Sequence, residues 1–233
     1  DAVIDCANAA HRGAAKALLH GLAGSGKPFI HTSGSSSVGT RAGGELREDV
    51  FDEDTPFTPT PARAARVALD DDIRAAAANG VRSIVIAPSL IYGRGRGLNP
   101  HSMQVPWLIA LAKKHGVAKH VGSGGNRWSN VHIDDLVALY ALALEKAPAG
   151  SFYFAENGEN SMREVCEAIG CMLGFGGRTQ AMSADEAAAE WGEGAANDTM
   201  GSNSRVRAKR ACAELGWRPK AQSLIEEIER GCY

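Results

Sequence analysis

The sequence predicts an α/β fold: a doubly wound parallel sheet with a smaller, mainly helical lobe. Three observations carry this. Short apolar strands alternate with amphipathic helices through the first two thirds of the 233 residues. The run Arg82–Ala87 (RSIVIA) is apolar on both faces, as a parallel strand covered by helices on each side requires. The last third is mostly helical, and Ser161-x-x-Glu164, Ser183-x-x-Glu186 and Ser223-x-x-Glu226 read there as capping boxes.

Taken in order, Ala2–Ile4 reads as a strand and Asn8–Leu22 as an Ala- and Leu-rich helix. A sheet that begins with the first residues is expected to be N-terminally incomplete. Pro28–Ser33 is the next strand; it ends in a hydroxyl-rich loop, which places Ser33 at the carboxyl edge where open α/β sheets bind ligands. Gly34–Thr58 reads as loop. Pro59–Asn79 reads as a helix with Pro59 and Pro61 in its first turn and Gly80 ending it. After Arg82–Ala87, Leu90–Pro100 is a Gly/Arg loop, Gln104–His115 a helix, and Lys119–Val121 and Ser129–Ile133 are strands. Asp134 is expected to cap a helix over Asp135–Lys146, whose Leu136, Leu139, Tyr140, Ala143 and Leu144 recur at helical spacing. Ser151–Ala155 is a strand and Arg205–Leu215 a helix closed by Gly216.

Composition excludes several functions. Hydrophobic residues make up 44% and charged residues 22%, and the formal net charge is −2, so nothing marks a nucleic-acid or membrane surface. A cytoplasmic location is expected. The five cysteines are odd in number and form no C-x-x-C, so buried thiols are expected and neither a disulfide framework nor a metal site is.

Several motifs fail on inspection. Gly21–Lys27 has the GxxxxGK spacing of a phosphate loop, but Pro28 stands where the magnesium-binding hydroxyl belongs, and the loop joins a helix to a strand. Gly93-Arg-Gly95-Arg-Gly97 reads as a mobile loop. Asp70-Asp71-Asp72 reads as a solvated helix face, His115 and His120 as surface residues, and Arg205–Arg210 as the wet side of one helix.

Five segments, in order, resemble the extended, atypical short-chain dehydrogenase/reductase superfamily, especially its NAD-dependent epimerase/dehydratase branch. They are Asp1–Ala7 (DAVIDCA), Phe29–Ser33, Ile84–Gly93 (IVIAPSLIYG), Arg127–Leu136 (RWSNVHIDDL) and Arg205–Pro219 with Leu215-Gly-Trp217-x-Pro219. The resemblance starts at the family's fourth strand. It implies a Rossmann-like nucleotide-binding domain over 1–97 and 129–147, with its first strands missing, and a substrate lobe over 98–128 and 148–233. The cofactor implied is NAD or NADP. Ala7, Ser33, Arg66 and the turn Pro88-Ser89-Leu90 would contact it. Ser33 would be the catalytic serine. Ser35 and Arg127 would contact a small-molecule substrate, and a homodimer is a possible assembly.

The chain departs from the family at its Y-x-x-x-K pair. Ala62 falls at the Tyr position and Arg66 at the Lys position. Tyr92 is then the tyrosine expected nearest the chemistry, as a proton donor or as a packing residue. His132, between Val131 and Ile133, is expected to be structural. Two functions stay open: an atypical NAD(P)-dependent oxidoreductase or epimerase/dehydratase acting on a small alcohol, carbonyl or sugar-like substrate, or a non-catalytic nucleotide-binding or scaffold protein that keeps the fold.

Overall fold

The computed structural model describes residues 1–233. The first half comprises β1 (Val3–Asp5), α1 (Arg12–Leu22), β2 (Pro28–Thr32), a 3-10 turn at Ser35–Val38, β3 (Thr40–Arg41), α2 (Pro61–Ala75), β4 (Arg82–Pro88) and β5 (Leu90–Tyr92). Next come α3 (Gln104–His115), β6 (Ala118–Val121), β7 (Arg127–His132), α4 (Ile133–Lys146), β8 (Ser151–Ala155) and β9 (Gly158–Ser161). The chain closes with α5 (Met162–Met172), β10 (Thr179–Met182), α6 (Ala184–Trp191), the single turn α7 (Glu193–Ala195), a π-turn at Ala196–Met200, β11 (Ser202–Asn203), α8 (Lys209–Glu214) and α9 (Leu224–Arg230).

The main sheet is parallel, in the order β1-β2-β4-β8. Alternation along β4 divides its side chains between two cores. Val85 joins Phe29, Ala15 of α1 and Leu69 and Ile73 of α2 on one face. Ile84 and Ile86 join Leu136, Leu139 and Ala143 of α4 and Ala211 of α8 on the other. Helices therefore cover both faces, as a doubly wound sheet requires. A separate core of 20 buried residues fills the second lobe, where α5 lies against α3, β6 and α9. No helix is long and apolar enough to cross a membrane.

The three Ser capping boxes form as expected. Several boundaries move for physical reasons. Leu90–Tyr92 is strand rather than loop, because Leu90 and Tyr92 alternate into the lobe core while the backbone pairs with β7. The cap of α4 is His132, whose Nδ1 accepts from the Asp134 N–H at 3.1 Å, so Asp134 lies inside the first turn. Pro59 stays outside α2, which starts at Pro61. The loop after Ser33 holds β3, which pairs antiparallel with β11. Strands β9 and β10 escaped the sequence reading. β8 pairs with β4, which places Ser151–Ala155 in the main sheet and not in the 148–233 lobe.

Arg205–Arg207 is extended and not helical. Ser129 Oγ donates to the Val206 carbonyl and accepts from its N–H, at 3.0 and 2.9 Å, holding that backbone flat. Arg205 and Arg207 then pair with Glu159, and Lys209 and Arg210 with Asp54. These cations are cross-links between segments rather than a wet helix face.

Two loops meet through glycines. Gly44 has φ +89°, and a Cβ there would lie 1.9 Å from the Val121 carbonyl oxygen. Gly44→Ala is expected to cost on the order of 3 kcal/mol or more, since the backbone conformation and the contact both resist it. Urea denaturation checks this; a loss below about 1 kcal/mol would mean the loops separate easily.

Candidate active site

The carboxyl ends of β2 and β4 open onto a cleft of about 480 Å³. Its floor is Thr32, Ser33, Ser35 and Ser36 after β2 and the Pro88-Ser89 turn after β4. Arg63 and Arg66 of α2 form one wall, and His101 and Gln104 stand on the lobe side.

Ser33 is fixed at both ends. Its N–H donates to the Ile86 carbonyl at 2.8 Å, continuing the sheet, and its Oγ donates to Asp70 Oδ2 at 2.7 Å. Asp70 is 4% exposed, so the solvated-face reading holds for Asp71 and Asp72 but fails for Asp70. The reason is helical spacing: Leu69, Asp70 and Ile73 form the inward stripe of α2. Burial pushes the Asp70 carboxyl up to about 7, against the opposing pull of the Ser33 hydrogen bond and the Arg66 charge.

That shift has a sign. A carboxyl raised in the folded state binds more protons folded than unfolded, so its contribution declines as pH rises from about 4 to about 7. The decline is on the order of 4 kcal/mol if the unfolded group is ordinary. Asp70→Asn removes the titration, so the stability of the variant relative to wild type is expected to rise across that window. Thermal unfolding at pH 4 to 8 checks it; a constant difference would contradict the buried carboxyl.

Arg66 stands where the resemblance expects Lys. Its Nη1 donates to Ser36 Oγ at 2.7 Å, and burial pulls its pKa down. A Cβ at Gly34 would come within 3.4 Å of that nitrogen, so the guanidinium lies across the glycine. Arg63, one turn earlier, donates to the Asp198 carbonyl at 2.9 Å. The sequence reading missed Arg63, though its i, i+3 relation to Arg66 puts both on one helix face.

The other expected residues divide. Pro88 and Ser89 line the cleft, and Ser89 Oγ locks the turn by donating to the Ala155 carbonyl at 2.8 Å. Ser35 also lines it, with its Oγ accepting from Ser204 Oγ at 2.9 Å. Leu90 does not line it: the alternation of β5 turns Leu90 into the lobe core and presents Ile91 instead. Ala7 is exposed beyond β1, outside the cleft lining.

Tyr92 is fully buried, and its hydroxyl donates to the Gln222 carbonyl at 2.7 Å, so it is a packing residue and does not reach the cleft. Burial drives its pKa upward. Arg127 pairs with Glu159 and Glu164 and is also absent from the lining, whereas its neighbour Trp128 is present. His132 caps α4 and is structural. His120 is buried rather than a surface residue, because the lobe core closes over β6, and burial lowers its pKa. A tyrosine does approach the strand ends. Tyr140 of α4 places its hydroxyl 2.6 Å from Thr32 Oγ1. Its position in the helical repeat gave no sign of this.

The Gly21–Lys27 turn is no phosphate cradle. The N–H groups of Gly24 and Gly26 donate to the Asn79 and Gly80 carbonyls, which splices the turn after α1 to the 3-10 turn that follows α2.

The chain is similar to known proteins in sequence and in fold. The sequence model of the NAD dependent epimerase/dehydratase family matches residues 4–153. An oxidase of Acremonium sp, ucsJ, is 30% identical over 98% of this chain and 76% of its own. The dTDP-glucose 4,6-dehydratase of Bacillus anthracis, solved in complex with NAD, superimposes with a TM-score of 0.70 at 20% identity, over 93% of this chain and 64% of that one. The UDP-glucuronic acid 4-epimerase of Bacillus cereus, solved with UDP-glucuronic acid and NAD, gives 0.70 at 16%, over 95% and 65%. This chain thus spans somewhat under two thirds of those solved chains. It belongs to the NAD-dependent epimerase/dehydratase family.

Proposed function

We propose that this chain carries the nicotinamide end and the substrate pocket of an NAD(P)-dependent oxidoreductase or epimerase/dehydratase acting on a hydroxyl or carbonyl carbon of a sugar-like substrate. The observation that supports this is the convergence of Ser33, Arg66 and the Pro88-Ser89 turn in one cleft at the strand ends.

The residues present fit the nicotinamide–ribose half of the cofactor. The Arg66 guanidinium lies over Gly34 with one Nη committed to Ser36, leaving donors for ribose hydroxyls. Pro88 and Ser89 offer a rigid wall for a flat ring. Bound there, the nicotinamide would exchange a hydride with the substrate carbon. Ser33 Oγ sits where it can polarise the oxygen on that carbon, and its backbone anchor keeps it in place. Arg63 and Arg66 suit an anionic substrate group, since the planar fork of Arg matches phosphate and carboxylate oxygens. Arg66 stays charged and takes no part in moving protons.

Ala62 at the Tyr position favours a second reading, a protein that binds the nucleotide without turnover. Both readings require binding. Titration with NADH, NADPH and reduced nicotinamide mononucleotide, followed by nicotinamide fluorescence, tests it. The mononucleotide probes the Arg66 cleft alone. Arg66→Ala is expected to raise its Kd about 10-fold or more. No binding of any of the three, or binding indifferent to Arg66, would refute the reading; binding without turnover of any sugar-like alcohol or ketone would favour the second.

A further inference from the structure

We propose that the protonation state of Asp70 decides whether the Ser33 hydroxyl donates or accepts in the cleft, and that Asp70 exchanges its proton through a small cavity behind it. The proposal rests on reading the cleft as a place where a substrate oxygen is polarised.

A serine hydroxyl has one hydrogen, and an ionised carboxylate only accepts. With Asp70 ionised, the 2.7 Å contact commits the hydrogen of Ser33 to Asp70 Oδ2, and Ser33 shows the cleft only lone pairs. With Asp70 protonated, the carboxyl O–H can donate to Ser33 Oγ across the same distance. The Ser33 hydrogen is then free to turn toward a substrate oxygen. One proton on the Asp70 oxygen that faces Ser33 thus converts Ser33 from acceptor to donor at an unchanged contact distance.

The back of the pair supplies the exchange route. Asp70 Oδ1 and Ser37 Oγ are buried and find no hydrogen-bond partner within the protein. Asp70 and Ser37 both line a second cavity of about 90 Å³, large enough for water and polar enough to hold it. Asp52, Glu53, Thr55, Asp71 and Arg74 complete its polar wall. Asp71, with its side chain 67% exposed, opens the wall to solvent.

The charged groups facing Asp70 are few. Arg66, Asp71 and Arg74 come from its own helix, and Asp52 and Glu53 from the loop opposite. Strand β8 adds only Phe152 and Phe154 to that cavity, and the neutral Ser33, just after β2, meets Asp70 from the cleft side. Arg66 and Arg74 favour the ionised form, Asp71 the protonated one, and desolvation outweighs them all. The carboxyl therefore titrates in the neutral range, where both forms of the switch are populated.

The proton balance is simple. As a substrate oxygen gains charge, the Ser33 O–H bond breaks and a substrate O–H bond forms. The Asp70 O–H bond breaks as Ser33 regains its hydrogen. Water in the rear cavity, which exchanges with solvent, reprotonates Asp70 at Oδ1, and a half-turn of the carboxyl group brings that O–H back to face Ser33. One proton passes from solvent to substrate, and no electrons are gained or lost at Ser33 or Asp70. Substrate oxidation runs the sequence backward. Asp70 is a positioning and proton-storing residue in this scheme, and Ser33 alone touches the substrate.

The test needs no cofactor. The side-chain carboxyl ¹³C shift of Asp70, assigned through the backbone, is followed with pH in the protein alone. The expected midpoint is near neutrality. In Ser33→Ala the midpoint is expected to rise by about one pH unit, because the hydroxyl that stabilises the ionised form is gone. A wild-type midpoint below pH 5, or one that Ser33→Ala leaves unmoved, overturns the proposal; the wild-type titration decides even if the variant fails to fold. Where the protein turns over, the reductive rate is expected to fall above the Asp70 midpoint, and Asp70→Asn, whose amide N–H donates at every pH, to lose that fall. A neutral, Ser33-sensitive midpoint in a protein that binds no nicotinamide nucleotide would support the pair and sink the functional reading. A midpoint below pH 5 in a protein that binds one would do the reverse.

Discussion

Ser33→Ala is expected to lower turnover by roughly 10²–10³-fold while the protein stays folded, because a single hydroxyl at a charge-developing oxygen is worth that much. On the proposed reading of the cleft, the fall should appear in kcat more than in KM, since the hydroxyl would act on the reacting oxygen while Arg63 and Arg66 would hold the remainder of the ligand. The fold should survive because Ser33 keeps its backbone bond to Ile86 and loses only Oγ. That loss leaves Asp70 Oδ2 without its donor. The variant should therefore lose more stability above neutrality, where the lost bond is to an ionised Asp70, than at pH 5, where it joins two neutral groups. Steady-state kinetics checks the first arm, and thermal unfolding at pH 5 and pH 8 checks the second. Unchanged kcat would remove Ser33 from the chemistry.

Trp217→Ala should have the largest effect on stability. The side chain is 1% exposed and lies in the core between α4 and α8. Truncating a buried Trp costs about 3–5 kcal/mol through lost burial and the cavity left behind. Its indole N–H also donates to the Asp135 carbonyl at 2.9 Å. The Asp135 carboxylate accepts from the Lys220 and Ala221 N–H groups at 2.8 and 3.0 Å, and Gln222 then receives the Tyr92 hydroxyl. Trp217 is thus the anchor of a strap that ties the C-terminal segment to the main sheet and to β5. A fall of roughly 10 °C in Tm is expected for a chain of this size. Urea unfolding should show a lower midpoint at unchanged slope. A loss under about 1 kcal/mol would mean that the strap is held elsewhere.

What the sequence made legible was what local pattern encodes. The two-faced apolarity of Arg82–Ala87 gave the central strand, and each Ser-x-x-Glu box gave a helix start. The strand end at Ser33 and the turn at Pro88-Ser89 were legible from order and resemblance, and they do line one cleft. Residues whose roles depend on long-range contacts stayed hidden. Asp70 looked like one of three solvated acids because the triplet was read as a run; counting by helical turns, Arg66, Leu69, Asp70 and Ile73 share the inner stripe. Tyr92 is expected nearest the chemistry from its place beside the turn, as a proton donor or as a packing residue, and strand alternation buries it beneath the strap. Arg205–Arg207 has helical composition and is held flat by Ser129, 76 residues earlier than Arg205, which no local rule supplies. Tyr140 meets Thr32 only because α4 lies against the sheet.

The most direct test of the central claim is to locate the nicotinamide. Cross-relaxation between the C4 protons of reduced nicotinamide mononucleotide and the assigned protein is expected to reach Ser33, Pro88 and Ser89. Contacts confined to other surfaces, such as the Gly24–Lys27 turn, would contradict the placement of the reaction at this cleft.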